Sequence, residues 1–127
     1  METLIITNNP RVEKELREAE KIEFHPQAGQ EEILRLARDY IHLGAKLIMH
    51  PMMGRVKPHE TPYKSVFLEL CEGQTDMNSV IIIEDSIRET KKLIENTYKI
   101  KYDDQLLPDL QYIDLLLLQN GIEEYRR

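Results

Sequence analysis

The sequence contains a single cysteine, no tryptophan and no uninterrupted apolar run longer than four residues. Because Cys71 has no second cysteine to pair with, a disulfide within the chain is excluded, and one free thiol suits a reducing compartment. Runs of four apolar residues are too short to cross a bilayer, and the N-terminus lacks the basic start of a signal peptide. We therefore expect a cytoplasmic protein with no membrane partner.

The sequence also has fewer basic than acidic residues. Lysine and arginine number 17 against 23 aspartates and glutamates, so the net charge is −6. A duplex-binding protein needs a face of Lys and Arg that releases counterions from the phosphates, and here basic residues alternate with acidic ones. Nucleic acid is accordingly not an expected partner.

Segments with strand and helix periodicity alternate along the 127 residues. Short β-prone runs predict strands at 4–6, 22–25, 46–50 and 80–83. Helical spacing and caps predict helices at about 10–19, 30–43, 61–72, 86–98 and 108–125. Strands that alternate with helices predict a three-layer (αβα), Rossmann-like or flavodoxin-like α/β domain with a four-stranded parallel sheet. We expect one domain, 1–127, with a core at 1–98 and a leucine-rich C-terminal helical extension at 106–125.

The segment 61–72 can be interpreted in two ways. Val66-Phe67-Leu68 favours a strand, whereas a stripe that begins at Tyr63 and returns every three or four residues favours a helix. Thr61 and Pro62 resemble an N-cap and first-turn pair, and Gly73 resembles a C-terminal stop. We predict a helix.

In a parallel sheet, the loops that follow the strands open on one edge, where ligands usually bind. Polar residues follow the predicted strands at 8–9, 50–64 and 84–86, and His25 follows the second strand. The sequence therefore predicts one ligand site formed by Asn8, Asn9, His50, Gly54, Arg55, Lys57, His59, Glu60, Thr61, Tyr63, Lys64, Glu84, Asp85 and Ser86.

The long loop after the third predicted strand has the features of an anion site. Gly54 allows close backbone approach, Arg55 and Lys57 are positive, and a helix beginning at Thr61 would present free N–H groups. The P-loop and Gly-x-Gly-x-x-Gly motifs are both absent, so no cofactor is expected. In the alternative interpretation, the basic residues only pair with Glu60 or solvent and the prolines stiffen a connection.

Two kinds of chemistry compete with simple binding. His50 is a candidate acid or base beside Glu84 or Asp85, because histidine titrates near neutrality. A metal site of His25, His50, His59 and Glu60 is disfavoured, because His59-Glu60 lacks the second histidine of the zincin motif. Cys71 is expected in the core, not as a nucleophile.

The last predicted helix is apolar nearly all round at Leu115-Leu116-Leu117-Leu118. One face of a helix can pack on a sheet, but a second apolar face needs another partner. The helix therefore predicts either a further helix of the same domain or a homodimer contact, with the homodimer favoured.

Four stretches together resemble the GrdX-like family, whose members are encoded beside components of the glycine, sarcosine and betaine reductases. They are Leu-Ile-Ile-Thr-Asn-Asn-Pro at 4–10, His-Pro-Met-Met-Gly-Arg-Val-Lys-Pro at 50–58, Glu-Thr-Pro-Tyr-Lys-Ser at 60–65 and Ile-Glu-Asp-Ser-Ile at 83–87. The resemblance implies a setting in reductive amino-acid fermentation. It implies no particular activity, catalytic residue or redox centre.

Three functions remain open at this point. The first is an accessory protein that binds an anionic metabolite bearing phosphate or carboxylate. The second is a small enzyme that uses His50 as acid or base. The third is an assembly factor that contacts a reductase component through its last helix.

Overall fold

A computed structural model describes residues 2–52, 57–96, 102 and 104–127. Its elements in chain order are β1 (Thr3–Thr7), α1 (Pro10–Leu16), β2 (Ile22–Phe24), α2 (Gln30–His42), β3 (Lys46–Leu47), β4 (Ser65–Glu69), α3 (Met77–Glu95) and α4 (Leu107–Tyr125). Among the described ranges, no helix is both long and apolar enough to traverse a lipid bilayer.

The sheet is mixed, with strand order β2-β1-β4-β3. β1 pairs in parallel with β2, whereas β4 pairs antiparallel with both β1 and β3. The prediction of a parallel, Rossmann-like or flavodoxin-like sheet is therefore wrong. The physical reason is that β4 follows β3 through a connection whose described residues form no helix, and an antiparallel neighbour needs no helical crossover.

The central strands β1 and β4 are covered by helices on both faces. Leu4 and Ile6 of β1 face a core built with α2 and α3, which includes Ile33 and Ile83. Ile5, between them, faces a second core. That second core contains Val12 of α1, Phe67 of β4, and Leu115 and Leu118 of α4. The C-terminal helix is thus packed on the sheet.

The predicted helix at 61–72 is wrong, because β4 occupies Ser65–Glu69. Val66 and Leu68 point into one core and Phe67 into the other, as expected for a strand that is buried on both faces. Thr61 does not cap a helix: its hydroxyl accepts a hydrogen bond from the Tyr63 N–H at 3.2 Å within a turn. Cys71 follows the strand and is partly exposed.

The predicted strand at 80–83 is also wrong, because these residues lie within α3. Asp76 caps this helix, with its carboxylate accepting hydrogen bonds from the Ser79 N–H at 3.2 Å and the Ser79 hydroxyl at 2.6 Å. Ile83 is fully buried whereas Ile81 is 55% exposed, so the isoleucine run presents only one side to the core. The capping box predicted at Ser86 falls in the middle of the helix.

α2 ends at His42, shortly before Gly44 and close to the predicted end at residue 43. The Gly44 φ of 113° lies where side chains are rarely accommodated, and a Cβ atom there would lie 2.8 Å from the Cys71 carbonyl oxygen. β3 follows at once but is confined to Lys46–Leu47, shorter than the predicted 46–50.

Candidate functional site

Three strand ends and one strand start meet at a single edge of the sheet. β1, β2 and β3 all run in the same direction, because β4 is antiparallel to β1 and to β3. Thr7 at the end of β1 lies beside Phe24 at the end of β2 and Ser65 at the start of β4. The loops that follow β1, β2 and β3 therefore open on the same edge, as they would in a parallel sheet. The segment that leads into β4 lies at this edge too.

A cavity of about 40 Å³ lies at this edge, under α4. Its wall consists of Met49, His50, Pro51, Thr61, Tyr63, Lys64, Ser65, Leu110, Ile113, Asp114, Leu117 and Leu118. Roughly three water molecules would fill 40 Å³, since about one probe sphere of 10–15 Å³ is needed for each. The cavity suits a ligand of a few non-hydrogen atoms and is too small for a nucleotide.

Asn8 braces the backbone beside the cavity. Its amide nitrogen donates to the carbonyl oxygens of Ala28 at 2.9 Å and Pro62 at 2.8 Å. Its amide oxygen accepts from the Lys64 N–H at 2.8 Å. All three bonds are made to backbone groups, so Asn8 fixes the path of the chain that carries Lys64.

Asn9 connects the end of β1 to α4. Its side-chain oxygen caps α1 by accepting from the Arg11 N–H at 3.0 Å. Its side-chain nitrogen donates to the Gln111 carbonyl at 2.9 Å and to Oδ2 of Asp114 at 3.0 Å. Asn9 therefore both caps α1 and orients a carboxylate of the cavity wall.

Asp114 is held at the end of a chain of hydroxyl groups. The Ser65 hydroxyl donates to Oδ2 of Asp114 at 2.7 Å, and it lies 2.7 Å from the Thr7 hydroxyl. Because serine has one hydroxyl proton and uses it on Asp114, Thr7 must be the donor to Ser65. Burial raises the pKa of Asp114, although the hydrogen bonds from Asn9 and Ser65 and the nearby charge of Lys64 work in the opposite direction.

Lys64 brings the opposite charge to the same cavity. Its ammonium group donates to the Pro51 carbonyl at 2.6 Å, and this is its only acceptor within the part of the chain that the structure describes. Burial lowers the pKa of Lys64, partly offset by the negative charge of Asp114. An ammonium has three N–H donors, so two remain for a ligand.

Tyr63 and His50 add further polar groups to the wall. The Tyr63 oxygen accepts from the Gln111 side chain at 2.7 Å, which leaves its own proton available to a ligand. Nδ1 of His50 accepts from the Met52 N–H at 3.1 Å, so a neutral His50 carries its proton on Nε2.

A family model described as GrdX-like protein matches residues 4–123, which includes every residue of the cavity wall. The chain belongs to the GrdX-like family. The resemblance seen in the sequence is confirmed, and the match continues past residue 98 through most of α4. Neither the curated proteins nor the solved structures contain a match to the chain.

The structure of this GrdX-like chain gathers some of the predicted site residues. His50, Thr61, Tyr63 and Lys64 line the cavity, and Asn9 contacts its wall through Asp114. Asn8 stands behind Lys64. Gly54 and Arg55 lie outside the described residues. Whether any of these residues binds a ligand stays a prediction.

Other predicted residues lie elsewhere. Lys57 is exposed, and its N–H donates to the Glu60 carboxylate at 3.0 Å. His59 is partly buried, away from the cavity wall, and its Nδ1 finds no hydrogen-bond partner among described atoms. Thr61 begins no helix, and the N–H groups of Tyr63 and Lys64 that follow it already donate to the Thr61 hydroxyl and the Asn8 amide oxygen.

Glu84, Asp85 and Ser86 belong to α3 and do not follow a strand, which removes the basis on which they were chosen. Glu84 pairs with Arg38 at 3.5 Å, and Asp85 pairs with Arg88 at 2.5 Å. Asp85 and Ser86 do border a second, separate pocket that also includes His50. His50 thus lies between the two pockets.

The four side chains weighed as a metal site are also apart. His25 lies beside Glu23, with Nε2 at 2.8 Å from Oε2, and it is not among the residues of the cavity wall. Among residues 2–52, 57–96, 102 and 104–127, no three His, Cys, Asp or Glu side chains are grouped so that they could hold a metal ion.

Sequence reasoning missed Ser65, Gln111 and Asp114 in this GrdX-like chain. Asp114 carried a usable signal, because it is the one charged residue in the run Tyr112-Ile113-Asp114-Leu115-Leu116. A charge within an apolar helix face is costly unless it is paired or functional. Ser65 had no comparable signal, because its contact depends on where α4 crosses the sheet edge.

Proposed function

We propose that this chain is an accessory protein that binds a small carboxylate-bearing metabolite in the cavity under α4. The observation that carries the proposal is Lys64, a partly buried ammonium group in the cavity wall that has one described acceptor, the Pro51 carbonyl. A cation that burial has destabilised gains most from a ligand that supplies negative charge. Membership of the GrdX-like family supports a setting in reductive amino-acid fermentation.

The wall favours carboxylate over phosphate. Asp114 lies in the same wall and would repel a dianion more strongly than a singly charged group. The hydroxyl of Tyr63 and the Nε2–H of His50 are additional donors in the wall, so a carboxylate can find partners for both of its oxygens. The cavity of about 40 Å³ limits the ligand to a short molecule.

This site differs from the loop at 54–61 that the sequence favoured. Lys64 replaces Lys57 as the cation, because Lys57 is exposed and does not border the cavity. The turn at Thr61 contributes a wall of the cavity in place of a helix N-terminus.

Calorimetric titration with acetate and with inorganic phosphate tests the proposal. We expect acetate to bind in the millimolar range and more tightly than phosphate. Lys64→Met should weaken acetate binding by about 1.5–3 kcal/mol, at least about tenfold in Kd, because it removes a charge-assisted donor. Lys57→Met removes the same charge outside the cavity and serves as the matched control.

Two results would count against the proposal. If wild type binds neither anion, the cavity is not an anion site. If Lys57→Met abolishes binding and Lys64→Met does not, the ligand binds at the loop and not under α4.

An assembly role through α4 has one supporting observation. Leu106 is 52% exposed and Leu116 is 38% exposed, so the helix retains apolar surface on the side away from the sheet. A homodimer or a reductase component at this surface stays a prediction. Sedimentation of wild type beside Leu116→Glu would test the homodimer, because a buried carboxylate should dissociate it.

A further inference from the structure

We propose that the ligand in the cavity under α4 also carries a positively charged nitrogen bound by Asp114, so that it is a small zwitterionic amino acid. This inference rests on the proposed function at Lys64 and adds the second recognition group. It starts from the fact that one small cavity has both an ammonium and a carboxylate in its wall.

The two charged groups share the cavity without neutralising each other. Among described residues, the ammonium of Lys64 donates to the Pro51 carbonyl and makes no ion pair with Asp114 within 4 Å. A salt bridge between them would have filled the cavity with protein and left no charge for a ligand. Their separation leaves a position between two opposite charges, and a zwitterion matches both.

Asp114 has one carboxylate oxygen occupied and one available. Oδ2 accepts from both Asn9 and Ser65, at 3.0 and 2.7 Å. Oδ1 accepts from no residue in the described part of the chain. Because Asn9 and Ser65 are themselves fixed by Thr7, the carboxylate is held in place before any ligand arrives. A preorganised acceptor of this kind recognises an N–H donor at little cost in ordering.

The cost of burying the charges of Lys64 and Asp114 also favours a ligand that carries both charges. Burial disfavours the charged forms of both groups, as the lowered pKa of Lys64 and the raised pKa of Asp114 indicate. A ligand with only a carboxylate would stabilise the charged form of Lys64 but would leave Asp114 buried beside a second negative charge. A ligand with both charges stabilises the charged forms of Lys64 and Asp114 together.

The remaining wall limits the size of the amino acid. Leu110, Ile113 and Leu117 of α4 present apolar surface, and the volume of about 40 Å³ leaves no room for a long side chain. We expect glycine to be accommodated, and a longer polar side chain to be rejected because it would be desolvated without partners.

Titrations with glycine, acetate and methylamine, which carry respectively both charges, only the negative one and only the positive one, test the inference. For wild type we expect glycine to bind at least tenfold more tightly than acetate, and methylamine to bind least. In Asp114→Asn the glycine-to-acetate ratio should fall to within about threefold, because the amide oxygen still accepts from Asn9 and Ser65 but no longer attracts a cation. Asp109→Asn, in the exposed first turn of the same helix, is the matched control and should keep the wild-type ratio.

The outcomes separate this inference from the proposed function. Acetate binding that depends on Lys64, with no preference for glycine or with a preference that Asp114→Asn leaves intact, would overturn the zwitterion and leave the anion site standing. No binding of glycine or acetate would overturn both. Circular dichroism of Asp114→Asn checks that a lost preference does not reflect unfolding.

Discussion

Ser65 and Asp114 lie 49 residues apart in the sequence, yet the serine hydroxyl donates a 2.7 Å hydrogen bond to the carboxylate. Asn9 donates to the same carboxylate oxygen at 3.0 Å. The end of β1, the start of β4 and the middle of α4 therefore meet at one oxygen atom. This contact attaches the polar side of the C-terminal helix to the edge of the sheet.

Removing the carboxylate should destabilise the fold more than replacing it with an amide. Asp114→Ala leaves the Ser65 hydroxyl and one N–H of the Asn9 side chain without their acceptor, which costs about 1–3 kcal/mol in the free energy of unfolding. Asp114→Asn retains a carbonyl oxygen for both donors and should lose less. Urea denaturation of the two variants measures the difference, and equal midpoints would show that the contact contributes nothing.

Stability should also depend on pH through Asp114. Its folded pKa is raised above the ordinary 3.8, so the folded state holds the proton more tightly than the unfolded state. Its contribution to stability is then fully present below about 3.8 and is lost as pH rises through the folded pKa. Wild type should lose stability relative to Asp114→Asn as pH rises above the ordinary value of 3.8 and through the raised folded pKa. Lys64, Tyr63 and His50 border the same cavity.

Gly44→Ala should destabilise the protein by about 1–2 kcal/mol or more. The backbone there has a φ of 113°, and the added methyl group would lie 2.8 Å from the Cys71 carbonyl oxygen. Gly29→Ala adds the same methyl group where nothing lies within 4 Å and φ is −79°, so its effect should be small. Thermal unfolding of both variants compares them directly, and equal melting temperatures would contradict the prediction.

The ion pairs Arg126–Glu20 and Arg88–Asp85 should contribute different amounts to the free energy of unfolding. Arg126 forms a fork with both oxygens of Glu20, at 2.5 and 2.9 Å, and the Glu20 side chain is only 5% exposed. Arg88 and Asp85 make a single contact, with side chains 69% and 64% exposed. Arg126→Ala should cost about 1 kcal/mol and Arg88→Ala less than about 0.5 kcal/mol in chemical denaturation. The reverse order would contradict the importance of the fork.

The chain has two phenylalanines, which allows a matched comparison of burial. Phe67 of β4 is fully buried and meets Tyr125 edge-on with ring centroids 5.6 Å apart. Phe24, in the outer strand β2, is only partly buried. Phe67→Ala should cost about 3–5 kcal/mol of unfolding free energy, and Phe24→Ala clearly less. Similar losses would show that β4 is not central to the core.

The accuracy of the sequence predictions depended on how far local pattern and tertiary packing agreed. β1, α2 and the glycine stop at Gly44 follow from local patterns that packing does not override. At 66–68, burial on both faces produces an unbroken apolar run, and such a run fits a helical stripe as well as a strand. At 80–83, β-branched residues suggested a strand, but packing of one side on α2 selected a helix.

The site residues show the same contrast between local sequence pattern and tertiary packing. His50, Tyr63 and Lys64 were predicted because they follow the third predicted strand, and the structure brings them to the same edge although Tyr63 and Lys64 precede β4 and lie in no helix. Asp114 comes from a helix whose position over the sheet edge is set by distant packing. No spacing within residues 108–125 encodes that crossing.

The helix that supplies Asp114 to the cavity also buries Leu115 and Leu118 against the sheet, with 2% and 1% exposure. α4 cannot move away from the sheet without exposing both leucines to water, at a cost of about 1.5–3 kcal/mol for each side chain. A bound molecule would therefore leave either by another side of the cavity or during local unfolding of α4. In the second case its residence time, and the amide hydrogen exchange of α4, would report the same opening event.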